Sequence, residues 1–256
     1  MQLEDRLKNS LEHKDILLMT HIVLGYPSFE INREVVRQMV ENGVDCIEMQ
    51  IPFSEPMADG PVIMKANLDS LANGTRVEEC LAFGAEMAST YDIPFLYMTY
   101  YNIIFKYGEE KFISKCSETG ITGLIVPDLP PEQSDIFFRC SAEKEVSPIL
   151  IYSPTSTDER MKELDNAGSG FIYCVARRGV TGKKSELDDG FGSYLQRCRS
   201  ASSKMLAVGF GIQTAEDIAA LKGKADMAVI GSKTIRLVDE KGAGAVGPFI
   251  AGLRSE

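Results

Sequence analysis

The amino-acid sequence predicts an α/β fold, a (β/α)8 TIM barrel with an additional N-terminal helix. Short apolar runs rich in β-branched and aromatic residues alternate with longer amphipathic stretches, and eight such units follow one another without a low-complexity linker. The length of 256 residues suits a closed barrel of this kind. We therefore expect residues 1–256 to form a single barrel domain, with an open doubly wound sheet as the structural alternative.

The first predicted element is a helix. Leu3, Leu7 and Leu11 recur at helical spacing in the segment Leu3–His13, which we expect to lie across the bottom of the barrel. The apolar runs that follow are the predicted strands, at Leu17–Val23, Cys46–Met49, Phe95–Thr99, Gly123–Val126, Pro148–Ile151, Phe171–Val175, Met205–Val208 and Met227–Ile230.

The segments between the strands have the apolar spacing of amphipathic helices. Predicted helices include Glu34–Glu41, Val77–Ser89, Glu110–Glu118, Glu132–Glu143, Asp158–Asn166, Tyr194–Arg199 and Ala215–Lys222. Glycine stands where several helices should end, because the residue after a helix often takes a conformation that favours glycine. These glycines are Gly43, Gly120, Gly168 and Gly223.

The charge balance disfavours two classes of partner. The chain has 27 Lys and Arg against 37 Asp and Glu, a formal net charge of −10, so we expect no nucleic acid and no anionic membrane as the main partner. No apolar run is long enough to span a bilayer, and the N-terminal segment is too charged and acidic for a secretory signal. The sequence therefore predicts a cytoplasmic protein.

The six cysteines are scattered, with no Cys-x-x-Cys pair and no histidine at metal-ligand spacing. We interpret them as reduced thiols and expect no metal site. A catalytic Cys–His pair is disfavoured, because His13 lies in a polar segment and His21 within an apolar run.

Two carboxylates follow the second predicted strand. Glu48 lies near the end of this strand, and the proline-rich loop after it presents Asp59. Barrel enzymes keep their chemistry in the loops after the strands, so Glu48 and Asp59 are the first catalytic candidates. The alternatives are structural: Glu48 in a salt bridge at the barrel end, and Asp59 as a turn residue before Gly60.

Three late loops combine glycine with small hydroxyl residues. They are VARRGVTGKKS at Val175–Ser185, VGFGIQTAED at Val208–Asp217 and IGSKTI at Ile230–Ile235. Because each follows a predicted strand, all three should meet on one face of the barrel. We predict a phosphate site formed by backbone amides near Gly182, Gly211, Gly231 and Ser232, the last two at the start of a short helix. Tight turns without a ligand are the alternative.

A basic run lies beside the predicted phosphate site. It contains Arg177, Arg178, Lys183 and Lys184, in a loop that continues to about Gly192. A loop of this length is typical of a lid that closes over a substrate, and a solvated loop is the alternative.

Seven segments, spread over nearly the whole chain and taken together, resemble the tryptophan synthase alpha chain family. They are Ile47–Pro61, the following KANLDSLANG, MTYYN at Met98–Asn102, VPDLPPEQ at Val126–Gln133, RRGVTG at Arg177–Gly182, GFGI at Gly209–Ile212 and IGS at Ile230–Ser232. The resemblance implies a TIM-barrel lyase of tryptophan biosynthesis that cleaves indole-3-glycerol phosphate to indole and glyceraldehyde 3-phosphate. It implies no metal and no organic cofactor in this chain, and a pyridoxal-phosphate beta chain as partner in an α2β2 complex.

The resemblance also implies roles for individual residues. Glu48 would be the general acid–base that protonates indole C3 and takes the side-chain hydroxyl proton. Asp59 would stay ionised, accept the indole N–H and stabilise the positive charge that develops on the ring. Thr181 matches a threonine that orients the second carboxylate when the loop closes. Tyr173 matches a tyrosine that lines the site, Tyr100 is a similar candidate, and Arg177 belongs to the basic loop.

Three residues depart from the family pattern. Tyr26 stands where the family has aspartate, Gln50 where it has glycine and Glu55 where it has aspartate. We expect these differences to change the surface around the active-site mouth, where a beta chain would dock. They favour one alternative function, a free-standing indole-3-glycerol-phosphate lyase. Two further alternatives are a catalytically idle phosphate-ligand-binding subunit, which the retained Glu48, Asp59 and Thr181 disfavour, and another phosphosugar-handling barrel such as an epimerase or isomerase, whose metal, lysine or further acids have no candidates here.

Overall fold

The computed structural model describes residues 2–175, 189–209 and 211–254. Within these ranges, eight parallel strands close into a barrel in the order of the chain. The strands are β1 (Leu17–Val23), β2 (Cys46–Gln50), β3 (Phe95–Met98), β4 (Gly123–Ile125), β5 (Ser147–Tyr152), β6 (Phe171–Val175), β7 (Met205–Gly209) and β8 (Met227–Ile230). Each lies within one residue of its predicted bounds, so the barrel prediction is confirmed and the open sheet is excluded.

Helices surround the barrel. They are α1 (Leu3–Leu11), α2 (Phe29–Glu41), α3 (Pro61–Ala72), α4 (Val77–Thr90), α5 (Tyr101–Tyr107), α6 (Glu109–Glu118), α7 (Asp135–Glu143), α8 (Asp158–Ala167), α9 (Asp189–Ala201), α10 (Ala215–Ala219), α11 (Ser232–Lys241) and α12 (Val246–Leu253). Short 3-10 turns lie at Pro131–Gln133 and Ala243–Ala245.

Four predicted helices differ from the structure by three or more residues at one end. Helix α2 begins at Phe29 rather than Glu34, where the Ser28 side chain caps it by accepting from the Ile31 N–H (3.2 Å), and α9 begins at Asp189 rather than Tyr194.

The helix expected from Glu132 begins at Asp135, because the Ser134 side chain accepts a hydrogen bond from the Phe137 N–H (3.1 Å) and caps the new helix there. The helix expected to reach Lys222 ends at Ala219, since the following amides bond three residues back, as in a turn. Helices α3, α5 and α12 were not among the predicted ones.

The glycines predicted to end helices fall into two groups. Gly43 and Gly120 have positive φ angles of 88° and 79°, as expected for residues just after a helix, and they follow α2 and α6. Gly223 also has a positive φ of 75°, but it lies in the turn four residues beyond the end of α10. Gly168 has no positive φ: its φ is −92°. A Cβ there would lie 3.0 Å from Cγ of Leu150, so this position needs glycine for space rather than for its backbone conformation.

The strands bury both of their faces. Outward side chains such as Leu18, Ile47 and Phe95 pack against the helices, whereas inward ones such as Leu17 and Met19 fill the barrel. Successive strand residues point to opposite faces, so each strand alternates between the two cores.

Helix α1 closes the lower end of the barrel, as predicted. Leu3 and Leu7 are 1% and 0% exposed and belong to the interior cluster. A Cβ on Gly123 or Gly170 would lie 3.2 or 3.0 Å from Cδ2 of Leu3, so the helix sits directly on the first residues of the strands. The opposite, upper end is therefore the open one.

Candidate active site

Glu48 lies inside the upper part of the barrel. It is on β2, in register with His21 of β1, and is 4% exposed. Its position two residues after Cys46, which belongs to the interior cluster, directs its side chain inward. The strand therefore holds a carboxylate in the open end of the barrel, above the apolar lower interior.

Asp59 reaches the same region from the loop between β2 and α3. Its N–H bonds to the Pro56 carbonyl (3.0 Å), which makes the turn expected before Gly60. Two further contacts fix this loop: the Phe53 N–H donates to Oδ1 of Asn67 (2.9 Å), and the Phe53 ring stacks on Tyr100 at 5.0 Å between centroids. The turn and the inward carboxylate are thus both present.

Oδ2 of Asp59 accepts two hydrogen bonds. Nε2 of Gln50 donates at 2.7 Å and the Tyr100 hydroxyl at 3.2 Å, while that hydroxyl accepts from the Ala58 N–H at 3.0 Å. Burial raises the pKa of Asp59, and the hydrogen bonds from Gln50 and Tyr100 act against this rise. Burial and the nearby Asp59 charge keep the pKa of Tyr100 above its ordinary value, so its hydroxyl remains a donor at neutral pH.

Glu48 has a different partner. Nδ1 of His21 lies 3.4 Å from Oε2 of Glu48, and both side chains are 5% exposed. Oε2 has no hydrogen-bond partner among the described residues. Burial by itself lowers the pKa of His21, but the Glu48 charge acts in the other direction, and the net effect is a raised pKa. The salt bridge considered as an alternative role for Glu48 therefore has a candidate partner, His21, which lies inside the site rather than on the surface.

Tyr173 faces the two acids from the other side of the barrel. It follows the interior residue Phe171 by two positions on β6, and a Cβ on Gly209 would lie 3.2 Å from its hydroxyl. Burial and the charges of Glu48 and Asp59 hold the pKa of Tyr173 well above its ordinary value. The structure thus brings Glu48, Asp59, Tyr100 and Tyr173 to one end of the barrel.

Three of the predicted phosphate-site residues also lie at this end. Gly211 follows β7 with a φ of 84°, and Gly231 and Ser232 connect β8 to the start of α11. The hydroxyl of Thr234 donates to the carbonyls of Gly231 (2.7 Å) and His21 (3.2 Å), which ties this turn to β1. The other predicted residues, Arg177, Thr181 and Gly182, lie outside the described residues, as does most of the basic loop.

Two residues of this site were not assigned to it from the sequence. His21 was placed in an apolar run, although it follows the interior residue Met19 by two positions. Gln50 was expected to change the surface around the mouth, and this expectation is wrong for Gln50, which is 0% exposed and contacts Asp59. The period of two along a strand was the signal that places both inside the barrel.

The other two departures do lie outside the barrel interior. The Tyr26 hydroxyl donates to Oδ1 of Asp239 (2.9 Å), next to helix α3. Glu55 is exposed and accepts a hydrogen bond from the Ser54 hydroxyl. These two changes alter the rim of the site without touching either acid.

The described residues contain neither a cluster of metal ligands nor a membrane-spanning helix. No group of three or more His, Cys, Asp or Glu side chains within these residues is placed to hold a metal ion. All six cysteines lie in the described part of the chain, free and buried. Within the same ranges, no helix has both the length and the apolar character needed to cross a membrane.

Known tryptophan synthase proteins are similar to this chain in sequence and in fold. The family model described as tryptophan synthase alpha chain matches residues 7–247. The tryptophan synthase alpha chain of Desulfotalea psychrophila is 65% identical over 254 residues, 99% of this chain and 100% of that protein. A solved structure of M. tuberculosis tryptophan synthase has a TM-score of 0.90 at 26% identity, covering 100% of this chain and 98% of that one. One of the tryptophan synthase α2β2 complex from Pyrococcus furiosus has a TM-score of 0.87 at 29% identity, covering 93% and 97%.

Proposed function

Because this chain belongs to the tryptophan synthase alpha chain family, we propose that its barrel cleaves indole-3-glycerol phosphate to indole and glyceraldehyde 3-phosphate. As an alpha chain it is a lyase of L-tryptophan biosynthesis. One observation carries the proposal for the site: Glu48 and Asp59 enter the same end of the barrel with different partners, His21 for one and Gln50 with Tyr100 for the other. Two acids in different surroundings suit two different tasks.

Glu48 is the proposed general acid–base. In this retro-aldol reaction a proton is added to indole C3, the side-chain hydroxyl loses its proton, and the bond between C3 and the side chain breaks. Glu48 gives the first proton and takes the second, so it ends the cycle as it began. Proton transfer by a positioned group contributes about 10²–10⁴-fold, and orientation of the substrate supplies much of the rest.

Asp59 is the proposed partner of the indole N–H. As C3 gains its proton, positive charge develops on the ring nitrogen, and a carboxylate aimed at this atom stabilises it. The hydrogen bonds from Gln50 and Tyr100 both reach Oδ2, which fixes the orientation of the carboxylate. This chemistry needs acid–base groups and no nucleophile, so we propose no cofactor for this chain.

The substrate phosphate is proposed to lie at the turn between β8 and α11. Helix α11 has ten residues, and its first amides, near Gly231 and Ser232, are oriented to bind an anion together with the backbone at Gly211. From the sequence we propose that Thr181, Gly182 and Arg177 complete this side of the site, and that Tyr173 lines the indole pocket.

A tryptophan synthase beta chain is the proposed protein partner. The solved Pyrococcus furiosus relative is an α2β2 complex, and we propose the same assembly here. Two large apolar side chains are exposed near the mouth of the site, Met57 at 86% and Phe105 at 66%, as expected for a surface that a partner covers.

We propose that residues 1–256 act as one barrel domain in the cytoplasm. Six free, buried thiols are typical of proteins from a reducing compartment.

The direct test is indole release from indole-3-glycerol phosphate by the purified protein, alone and with a beta chain from the same source. We expect cleavage that rises sharply when the beta chain is added. High activity that the beta chain does not change would favour a free-standing lyase, whereas no activity in either condition would contradict the proposed reaction.

A further inference from the structure

His21 and Gln50 lie between the two proposed catalytic acids. Nδ1 of His21 is 3.4 Å from Oε2 of Glu48, and Nε2 of Gln50 donates to Oδ2 of Asp59 at 2.7 Å. Both residues are buried, with exposed fractions of 4% for His21 and 0% for Gln50. Each acid therefore has its own nitrogen-bearing neighbour within the barrel, a hydrogen-bond donor for Asp59 and a ring at charge-contact distance for Glu48.

The free ends of these two side chains are also buried. Nε2 of His21 and Oε1 of Gln50 have no hydrogen-bond partner within the part of the chain that the structure describes. The Gln50 side chain is near enough to favour the charged form of the His21 ring. A ring nitrogen and a carbonyl oxygen are thus both buried in the site without a partner, and contacts of catalytic groups often tighten only when a substrate binds.

Within the described ranges, the groups that act on the ring are acids and a neutral amide. Glu48 on β2 and Asp59 in the loop after β2 favour its protonated form, as does Gln50. From the side of α11, the Thr234 hydroxyl donates to the His21 carbonyl rather than to the ring. The ring is therefore surrounded by partners that favour a cation.

We propose that His21 and Gln50 are positioning residues that link Glu48 and Asp59 in one hydrogen-bonded network, His21 stabilising the ionised form of Glu48 and Gln50 that of Asp59. The hydrogen bond from Gln50 to Oδ2 of Asp59 is already formed, and the links from Oε2 of Glu48 through the His21 ring to the Gln50 carbonyl form when the substrate binds. This inference rests on the proposed function, since it assigns supporting roles to residues that act through the two acids.

The network would act at one step of the reaction. After Glu48 has given its proton to indole C3, its carboxylate is buried and charged until it takes the hydroxyl proton. A charged His21 stabilises Glu48 in this state, and Gln50 holds Asp59 against the positive indole nitrogen. Both effects belong to the reacting complex, so they should appear in kcat more than in KM.

The two residues should control opposite sides of the pH–rate profile. The ring loses its charge as pH rises through its raised pKa, so His21 should cause a loss of kcat on the alkaline side. The Gln50 hydrogen bond lowers the pKa of Asp59, so removing it should move the acidic limb to higher pH.

The test measures kcat and KM for indole-3-glycerol phosphate with pH for His21→Asn, His21→Leu and Gln50→Leu, with the beta chain present throughout. His21→Asn keeps a donor near the position of Nδ1 but does not titrate. The matched controls are Thr20→Val and Met49→Leu, neighbours on the same strands whose side chains face the helices. Binding of glycerol 3-phosphate and thermal unfolding report whether each variant is folded with an intact site.

We expect both His21 variants to lower kcat roughly 10- to 100-fold, as for loss of a hydrogen bond to a charged group, with KM changed by less than about threefold. Both His21 variants should lose the fall of kcat at alkaline pH, and in Gln50→Leu the fall of kcat at acidic pH should begin at a higher pH. A His21→Asn variant with the kcat and pH profile of the wild type would overturn the inference, even if His21→Leu failed to fold. Glu48→Gln in the same assay separates the two possible failures. If His21→Asn behaves like the wild type and Glu48→Gln is inactive, only the inference fails. If Glu48→Gln is also active, the proposed function fails as well.

Discussion

The two ends of the barrel interior are built from the same strands but carry different side chains. At the lower end, Leu7 and Met19 are fully buried in an apolar cluster. At the upper end, the inward positions of β1 and β2 are His21, Glu48 and Gln50, and each has a buried polar atom without a partner among the described residues. The backbone is the same continuous pair of strands throughout, so only the identity of every second residue changes.

The buried carboxylate of Asp45, near the lower end, is paired instead. Asp45, just before β2, accepts hydrogen bonds from the Leu18 N–H (2.8 Å), Lys14 and Arg254. A buried polar group left without a partner costs about 1–3 kcal/mol. Both carboxylate oxygens of Asp45 accept hydrogen bonds, whereas polar atoms at the upper end have no partner among the described residues. We therefore interpret the upper end as the part of the barrel whose side chains serve catalysis at a cost in stability.

The largest expected effect is on the rate at the upper end. Glu48→Gln keeps the size of the side chain and removes its proton transfer, so we expect indole release to fall roughly 10³- to 10⁴-fold. Glycerol 3-phosphate binding, measured by calorimetry, should stay near the wild-type value, because the proposed phosphate site lies at another pair of strands. A variant with nearly full activity would remove Glu48 from the proton transfer.

The second effect is on stability at the lower end. Leu7→Ala opens a cavity beneath the strands and should lower the free energy of unfolding by about 2–5 kcal/mol. Urea unfolding measures this loss, and Leu11→Ala, at a half-buried position of the same helix, should cost less. The kcat of the folded Leu7→Ala protein should be unchanged; a large drop in kcat would mean that the two ends are not independent.

Tyr97 and Tyr100 are both buried, but only the hydroxyl of Tyr100 faces the proposed site, so the pair allows site and core roles to be compared directly. Tyr100→Phe removes the donor to Asp59 and should lower kcat roughly 5- to 10-fold, the equivalent of about 1 kcal/mol. Tyr97 is its control, since its hydroxyl donates to the Cys80 carbonyl (3.1 Å) on the helix side of the barrel. Tyr97→Phe should reduce stability by about 1 kcal/mol and leave kcat alone. Equal rate losses in both variants would contradict a specific role for Tyr100.

The smallest expected effect is the pH dependence of stability. The pKa of His21 is raised in the folded protein, so its protonation stabilises the fold fully below the ordinary histidine value of about 6.5. This contribution is lost as pH rises through the raised pKa. The free energy of unfolding of the wild type should therefore fall relative to that of His21→Leu as pH rises across that range. A difference that does not change with pH would contradict a charged His21.

The fold could be predicted from sequence because its signal is local. Apolar runs located every strand to within one residue. Helix α3 was missed because its apolar residues do not lie on one face: Met64 and Leu68 are exposed. Tertiary contacts support this helix, including the Asn67 side chain that holds the loop before it. Helix α5 has seven residues, too few for a clear period.

The site was predicted only in part, for a related reason. Glu48 and Asp59 were found because a strand and its loop bring them together along the chain. The contact between His21 and Glu48 depends on the register of β1 against β2, which no single segment contains. The reach of Gln50 to Asp59 depends on the path of the loop. Pairings between strands are thus what the sequence pattern left undetermined.

The most direct test of this account is the double variant His21→Leu with Glu48→Leu, measured for both free energy of unfolding and rate of indole release. Replacing a buried ionic pair by apolar residues of similar volume is often neutral or stabilising by about 1–4 kcal/mol. We expect a protein at least as stable as the wild type that releases no indole. A protein that is several kcal/mol less stable, or one that still cleaves the substrate, would show that the pair serves the fold rather than the chemistry.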